Sequence, residues 1–183
     1  MARPPVVRLL LVAIALSLLA TAPVAAQDPP APPAPVAADS ADVASIDAII
    51  AALYDVISGP AGPRDWNRFR SLFAPGAVLA PTTPGPDGNT RLRVIGVDDY
   101  VRFGEAFFRD NGFFERESGR TLERFGNVAN AMSAYDSRHA AEDAEPFTRG
   151  INSITLIHDG ARWWVLSIAW DEGREGNPMP EPM

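Results

Sequence analysis

Apolar residues recur at helical spacing in the first part of the chain and alternate with polar ones in the last. Between residues 42 and 57, Val43, Ile46, Ile50, Leu53 and Ile57 fall on one face, the recurrence that marks an amphipathic helix. Ser58-Gly59-Pro60 stops it, and Tyr54 lies on the edge of its apolar face. A short second helix starts at Asp65 as N-cap, turns Trp66, Phe69, Leu72 and Phe73 inward, and ends at Pro75-Gly76. The third is expected from Asp98 to Asn111, with Tyr100, Phe103, Gly104, Phe107 and Phe108 on its buried side. Asp98 and Asp99 fall in its first turn, where the helix dipole favours negative charge.

Strands are predicted for 77–80 and 91–95, joined by the Pro/Gly-rich loop TTPGPDGNT, and for 113–117 and 121–125 around Ser118-Gly119. Longer ones follow over 128–138, 147–158 and 162–171, the last two joined by an Asp159-Gly160 turn. Three helices in the N-terminal half followed by long antiparallel strands give an α+β class, with helices packed on one face of a curved sheet. Along the last strand, alternation groups Trp164, Leu166, Ile168 and Trp170 on one face and Trp163, Val165, Ser167 and Ala169 on the other. Both faces are apolar and need a partner. One is expected to meet the helices, and the face bearing Trp163 a second subunit's sheet or only its own surroundings.

The ends of the chain carry no such periodicity. Arg3 and Arg8 precede an apolar stretch from Leu9 to Ala22, and Val24-Ala25-Ala26 offers small residues before Gln27, the layout of a secretory signal peptide over residues 1–26 cleaved after Ala26. The 14 residues between Arg8 and Pro23 fall short of the roughly 20 that span a bilayer, so no stable membrane span is expected after cleavage. Export to the periplasm or the medium follows. Residues 27–40 read as a Pro/Ala-rich linker, 41–172 as one folded domain, and 173–183 as a disordered tail.

Of the 183 residues none is Cys, which excludes disulfides, thiolate metal sites and a cysteine nucleophile. All 16 basic residues are Arg; beyond residue 26 there are 14 of them against 23 acids, a net of 14 − 23 = −9. That balance argues against nucleic acid as a partner.

The order of elements, with DWNRFRSLFAPGAVLA (65–80), GVDDYVRF (96–103) and FTRGINSITLIHDGARWWVLSIAW (147–170), resembles the NTF2-like superfamily and is most similar to its SnoaL-like or ketosteroid-isomerase-like branch. The resemblance implies a cystatin-like, cone-shaped roll enclosing an apolar pocket, and a homodimer formed through the sheets. It implies no single reaction. An isomerase of the family would use a carboxylate on the first strand and an oxyanion acid late in the chain. Here the first strand offers Val78, Leu79, Ala80 and Pro81, and the acid's place falls near Ser153 or Ile154. The ketosteroid-type set is absent.

His139 and His158 fall in a loop and at a strand end, as rim residues rather than pocket bases. The loop residues Asp136, His139, Glu142, Asp143 and Glu145 match no established metal spacing, so neither metal nor cofactor is expected. Arg149 is expected to pair with Asp136 or Asp171, and strand parity sets Arg149 and Ser153 opposite Asn152. The candidate ligand-binding set is Tyr54, Trp66, Tyr100, Asn130, Asn152, Trp164 and Trp170, around a small apolar molecule. Two alternatives stand beside that binding domain. One is a lyase or isomerase acting on a polyketide- or steroid-like compound through Tyr54 or Asp171, which requires a carboxylate of raised pKa inside the pocket. The other is a structural dimerisation module.

Overall fold

In the computed structural model, residues 36–180 are described, apart from 83 and 86. The predicted signal peptide and most of the linker lie outside them. Two short caps divide the first helical stretch. The Asp39 carboxylate accepts from Ala41 N to start α1 (Ser40–Val43), and Ser45 Oγ accepts from Ala48 N to start α2 (Ile46–Ile57). Each satisfies a backbone donor that has no partner within the helix. Asp65 caps α3 (Trp66–Ser71) by accepting from Arg68 N at 2.9 Å. Phe73, read as helical from the sequence, instead opens β1 (Phe73–Pro81).

The strand expected over 91–95 contracts to β2 (Ile95–Gly96), from which α4 (Val97–Asp110) begins. The two strands expected around Ser118-Gly119 are one, β3 (Phe114–Phe125), with a bulge between Glu117 and Gly119. Then come β4 (Val128–Arg138), β5 (Thr148–His158) and β6 (Trp163–Glu172). The six strands form one sheet in the order β2-β1-β6-β5-β4-β3.

Four of the five pairings are antiparallel, as expected, and β1 with β6 is parallel. The parallel pair is possible because β1 and β6 are joined by a long excursion through α4 and four strands, whereas a hairpin would force opposite directions. The helices cover one face of the sheet. Ile49, Ile50 and Leu53 of α2 join Leu72, Ile154, Leu156 and Val165 in the core.

A bulge in β6 overturns the simple alternation of its side chains. Leu156 pairs with Val165 and Thr155 with Ser167, so Leu166 is the extra residue. Trp163 and Val165 before the bulge therefore share the inner face with Ile168 and Trp170 after it. Trp163 is 4% exposed inside the core. Trp164 points outward, where its ring lies under the Arg162 guanidinium and its Nε1 donates to Asp159. The expectation that Trp164 faces the pocket and Trp163 a partner is thus reversed.

After β6 the chain turns back. Gly173 N donates to Arg149 O, and Arg174 and Asn177 form an isolated bridge, so the start of the segment expected to fray is tied to the sheet. Among the described residues no helix is long and apolar enough to cross a membrane.

Candidate functional site: a cavity between the sheet and α4

Between α2, α4 and the inner face of the sheet lies a cavity of about 390 Å³. Phe69, Tyr100, Phe103, Phe107, Phe108, Phe113, Phe147 and Trp170 supply most of its walls, with Leu53, Ile57, Leu79, Ile154 and Ile168 filling between them. Aromatic contacts fix several of these rings. Tyr100 stacks on Phe69 at 5.1 Å and meets Trp170 edge-on at 6.3 Å, while Phe108 meets Phe113 at 5.3 Å. Phe103, Phe107 and Phe147 remain exposed and mark the open side.

Strand register sets the polar part. Residues paired across antiparallel strands point to the same face, so Ser133, Asn152 and Trp170 form one inward row, Tyr135, Gly150 and Glu172 the next, and Glu115, Ser137 and Thr148 a third. Ser137 lies directly opposite Glu115, and its hydroxyl donates to Glu115 Oε2 at 2.8 Å. The Glu115 main chain is held as well, its N–H donating to Ser58 Oγ and its carbonyl accepting from the same hydroxyl. Gly150 is required by its neighbours: a Cβ there would collide with Tyr135 Oη and with Asp171 O. Its bare backbone lets the Tyr135 ring lean across β5.

The environment raises the proton affinity of Glu115. Burial pushes it up to about 7, aided by the negative charge of Glu172 and opposed by the Ser137 hydroxyl and the Asn152 amide. The phenols move the same way. Burial raises Tyr54 to about 12, and raises Tyr100 and Tyr135 as well, each with a contribution from the Glu115 charge. A carboxyl that titrates near neutrality inside an apolar cleft is able to give or take a proton.

Tyr54 is engaged elsewhere. Ser133 Oγ donates to Glu117 Oε1 at 2.5 Å, which uses its single proton, so the Tyr54 hydroxyl must be the donor in its 2.7 Å contact with Ser133. Asn152 Nδ2 donates to the same Tyr54 oxygen at 3.1 Å. The Tyr54 proton is aimed at Ser133, away from any ligand, and the tyrosine's work is to hold Asn152 at the cavity wall.

Of the residues read from the sequence as ligand contacts, Tyr54, Tyr100, Asn152 and Trp170 line the cavity together. Trp66 is buried beneath it, against Phe108 and Phe69. Asn130 and Trp164 belong to the outward face, Asn130 beside Glu123 and Thr155. Asp171 also faces outward, paired with Arg174, which keeps its carboxyl below the usual range; its neighbour Glu172 reaches the cavity instead. Glu115, Tyr135, Ser137 and Glu172 were missed. The available signal was parity within FFERES, where Glu115 and Glu117 alternate with Phe114 and Arg116, a pattern equally natural for an exposed strand.

Arg149 pairs with Asp136 on the outer face, one of its two expected partners. His139 stacks on Phe147 at 4.2 Å, and His158 meets Trp163 edge-on. Within the acidic loop, Asp143 accepts from Ala140 N. No three His, Cys, Asp or Glu side chains among the described residues are grouped to hold a metal ion.

No protein-family model matches the chain, and no curated protein does. Solved structures do. The Mycobacterium tuberculosis protein Rv3472, of unknown function and solved as a point variant, is similar over 74% of this chain and 79% of its own, at 19% identity and a TM-score of 0.54. A candidate dehydratase of the NTF2-like family from Streptomyces avermitilis is similar over 73% of this chain and 96% of its own, at 12% identity and a TM-score of 0.53.

The fold is NTF2-like. A Caulobacter vibrioides protein with a cystatin-like fold agrees, at 14% identity, a TM-score of 0.50, and coverage of 73% of this chain and 90% of its own. Identities this low carry the NTF2-like architecture and no reaction, so the chemistry rests on the cavity itself.

Proposed function

We propose that this NTF2-like domain binds a small, largely apolar molecule in the cavity between α4 and the sheet. The observation that carries the reading is the cavity's lining, aromatic on nearly every side and about 390 Å³ in volume, within the range of small-molecule sites. Burying apolar ligand surface against such walls contributes about 25 cal/mol per Å². Nile red, neutral and apolar, is expected to bind one site per chain saturably, and native mass spectrometry of residues 27–183 to show a discrete retained mass. Failure of both measurements would sink the reading.

One observation favours catalysis over storage. Glu115, held near neutrality in proton affinity, stands inside the cavity, the carboxyl that a lyase or isomerase needs to move a proton on an apolar substrate. In this second reading Glu115 takes the role the sequence offered to Tyr54 or Asp171. A retained molecule, once identified by mass, is expected to exchange C–H for C–D in heavy water with the wild-type protein and not with Glu115→Gln. Equal exchange with both proteins removes Glu115 from the chemistry.

Export is proposed on the sequence of residues 1–26 alone, which supports cleavage after Ala26. N-terminal sequencing of protein recovered from outside the cytoplasm is expected to begin at Gln27.

A further inference from the structure

Three carboxylates belong to the inner, helix-covered side of the sheet, and they are treated differently. Glu117 is provided for: Ser133 donates to it, and Arg120 stands 3.6 Å away. Glu115 receives one hydroxyl, from Ser137. The Glu172 side chain has neither a hydrogen bond nor an ion pair among the described residues, although its backbone N–H donates to Asp171 and its carbonyl accepts from Arg174 and Asn177. Both Glu115 and Glu172 line the cavity, and among the described residues no Arg or His does.

The surrounding arginines are engaged outside it, and Arg174, whose charge also interacts with that of Glu172, is paired with Asp171. Arg64 lies over Phe108 but donates to the carbonyls of Ile57, Gly59, Pro60 and Gly62. Arg93 and Arg102 stack on Phe103 at the open side, Arg102 paired with Asp99.

Burial makes the Glu115 charge costly without a paired cation, and Glu172 adds a second negative charge beside it. The fold could have supplied an arginine, as it does for Glu117, and does not. The surrounding rings complete the picture, because the faces of Phe, Tyr and Trp attract a cation that has left water.

We infer that the cavity's ligand is an apolar molecule bearing a basic nitrogen, its ammonium group placed between Glu115, Glu172 and the rings of Tyr100 and Trp170. The inference rests on the binding function proposed above and adds the ligand's charge. The elevated proton affinity of Glu115 is consistent with a carboxyl awaiting such a partner. Carboxylate and phosphate ligands are repelled by the same pair.

Three probes of one shape test it: 1-naphthylmethylamine, 1-naphthylmethanol and 1-naphthoate, titrated calorimetrically into the full chain at pH 8. The amine is expected to bind about tenfold tighter than the alcohol, with the naphthoate weakest. In Glu115→Gln/Glu172→Gln the amine's advantage over the alcohol is expected to disappear. If the alcohol or the naphthoate matches the amine in the wild-type protein, the inference is overturned and the cavity reading stands. If none of the three binds, this inference is overturned, and Nile red binding decides the cavity reading separately. The ranking in the unaltered protein is decisive even if the double variant does not fold.

Discussion

Glu115 carries the most consequence of any residue here, because its burial couples function to stability. Its carboxyl is pushed up to about 7 from an ordinary 4.5. Below pH 4.5 both folded and unfolded chains hold the proton, and no charge is buried. Between 4.5 and 7 the unfolded chain releases the proton while the folded chain keeps it, so stability falls as pH rises. Above 7 the loss is complete, at about 3 kcal/mol. Glutamine preserves an oxygen for the Ser137 hydroxyl and removes the titration. Glu115→Gln is therefore expected to be more stable than wild type at pH 8 by about 2–3 kcal/mol and to lose that advantage at pH 4, as read from urea unfolding. A difference that stays constant across this range would show that Glu115 does not titrate as described. Tyr54 makes the opposite point: a buried tyrosine in the site is not a proton donor to a ligand when its hydrogen is already committed to Ser133.

Among the elements, α3 packs on α4 where Gly104 leaves room for Trp66. A Cβ on Gly104 would come within 2.7 Å of the tip of the Trp66 ring and 3.3 Å of Phe108. Trp66 is held by Phe69 on one side and Phe108 on the other, so it has little room to move. Alanine gains about 1 kcal/mol of helix propensity, but overpacking costs about 1–3 kcal/mol. Gly104→Ala is expected to lower Tm by a few degrees and to weaken Nile red binding, since Gly104 and Phe108 both line the cavity; an unchanged or raised Tm would mean that α4 shifts freely. Periodicity made α2 and α4 legible, although Phe103 and Phe107, expected on the buried side of α4, stand exposed at the open side of the cavity. The long strands β4 to β6 were legible from their alternation and from the Asp159-Gly160 turn. The bulge at Leu166 was not, since nothing in WWVLSIAW marks the extra residue, and a slip of one position sends every later side chain to the other face. The same limit hid the site: Glu115 meets Ser137 only through the register of β3 on β4, a long-range fact that local pattern does not contain. Asn130 was misplaced for the same reason, while Asp171 follows Trp170 and by alternation alone falls on the opposite face; Asn152 lines the cavity.

At the scale of the molecule, the helices among the described residues cover only one face of the sheet. On the other, Phe125, Val128, Ile157 and Trp164 lie side by side across β3 to β6, with Phe125 91% and Val128 51% exposed. Met132 adds a further exposed apolar side chain on the same face, close to where Met179 and Pro180 of the C-terminal segment pass. Four strands of 10 to 12 residues, at about 3.3 Å per residue and 4.8 Å per strand, present roughly 700 Å², close to the ~800 Å² that each partner contributes to a standard interface. A second copy of the chain is the occupant we expect, since an exposed apolar row within a polar sheet face can meet its own copy about a twofold axis. The residues carrying the contact are then Phe125 and Val128, and Trp163, sealed in the core, plays no part. Light scattering on the full chain at micromolar concentration is expected to give a dimer mass. Phe125→Glu/Val128→Glu is expected to give a monomer that keeps its Tm within a few degrees, because neither side chain is buried within one chain. A wild-type monomer, or a dimer indifferent to both substitutions, would move the interface elsewhere and leave the exposed row on β3 and β4 without a partner.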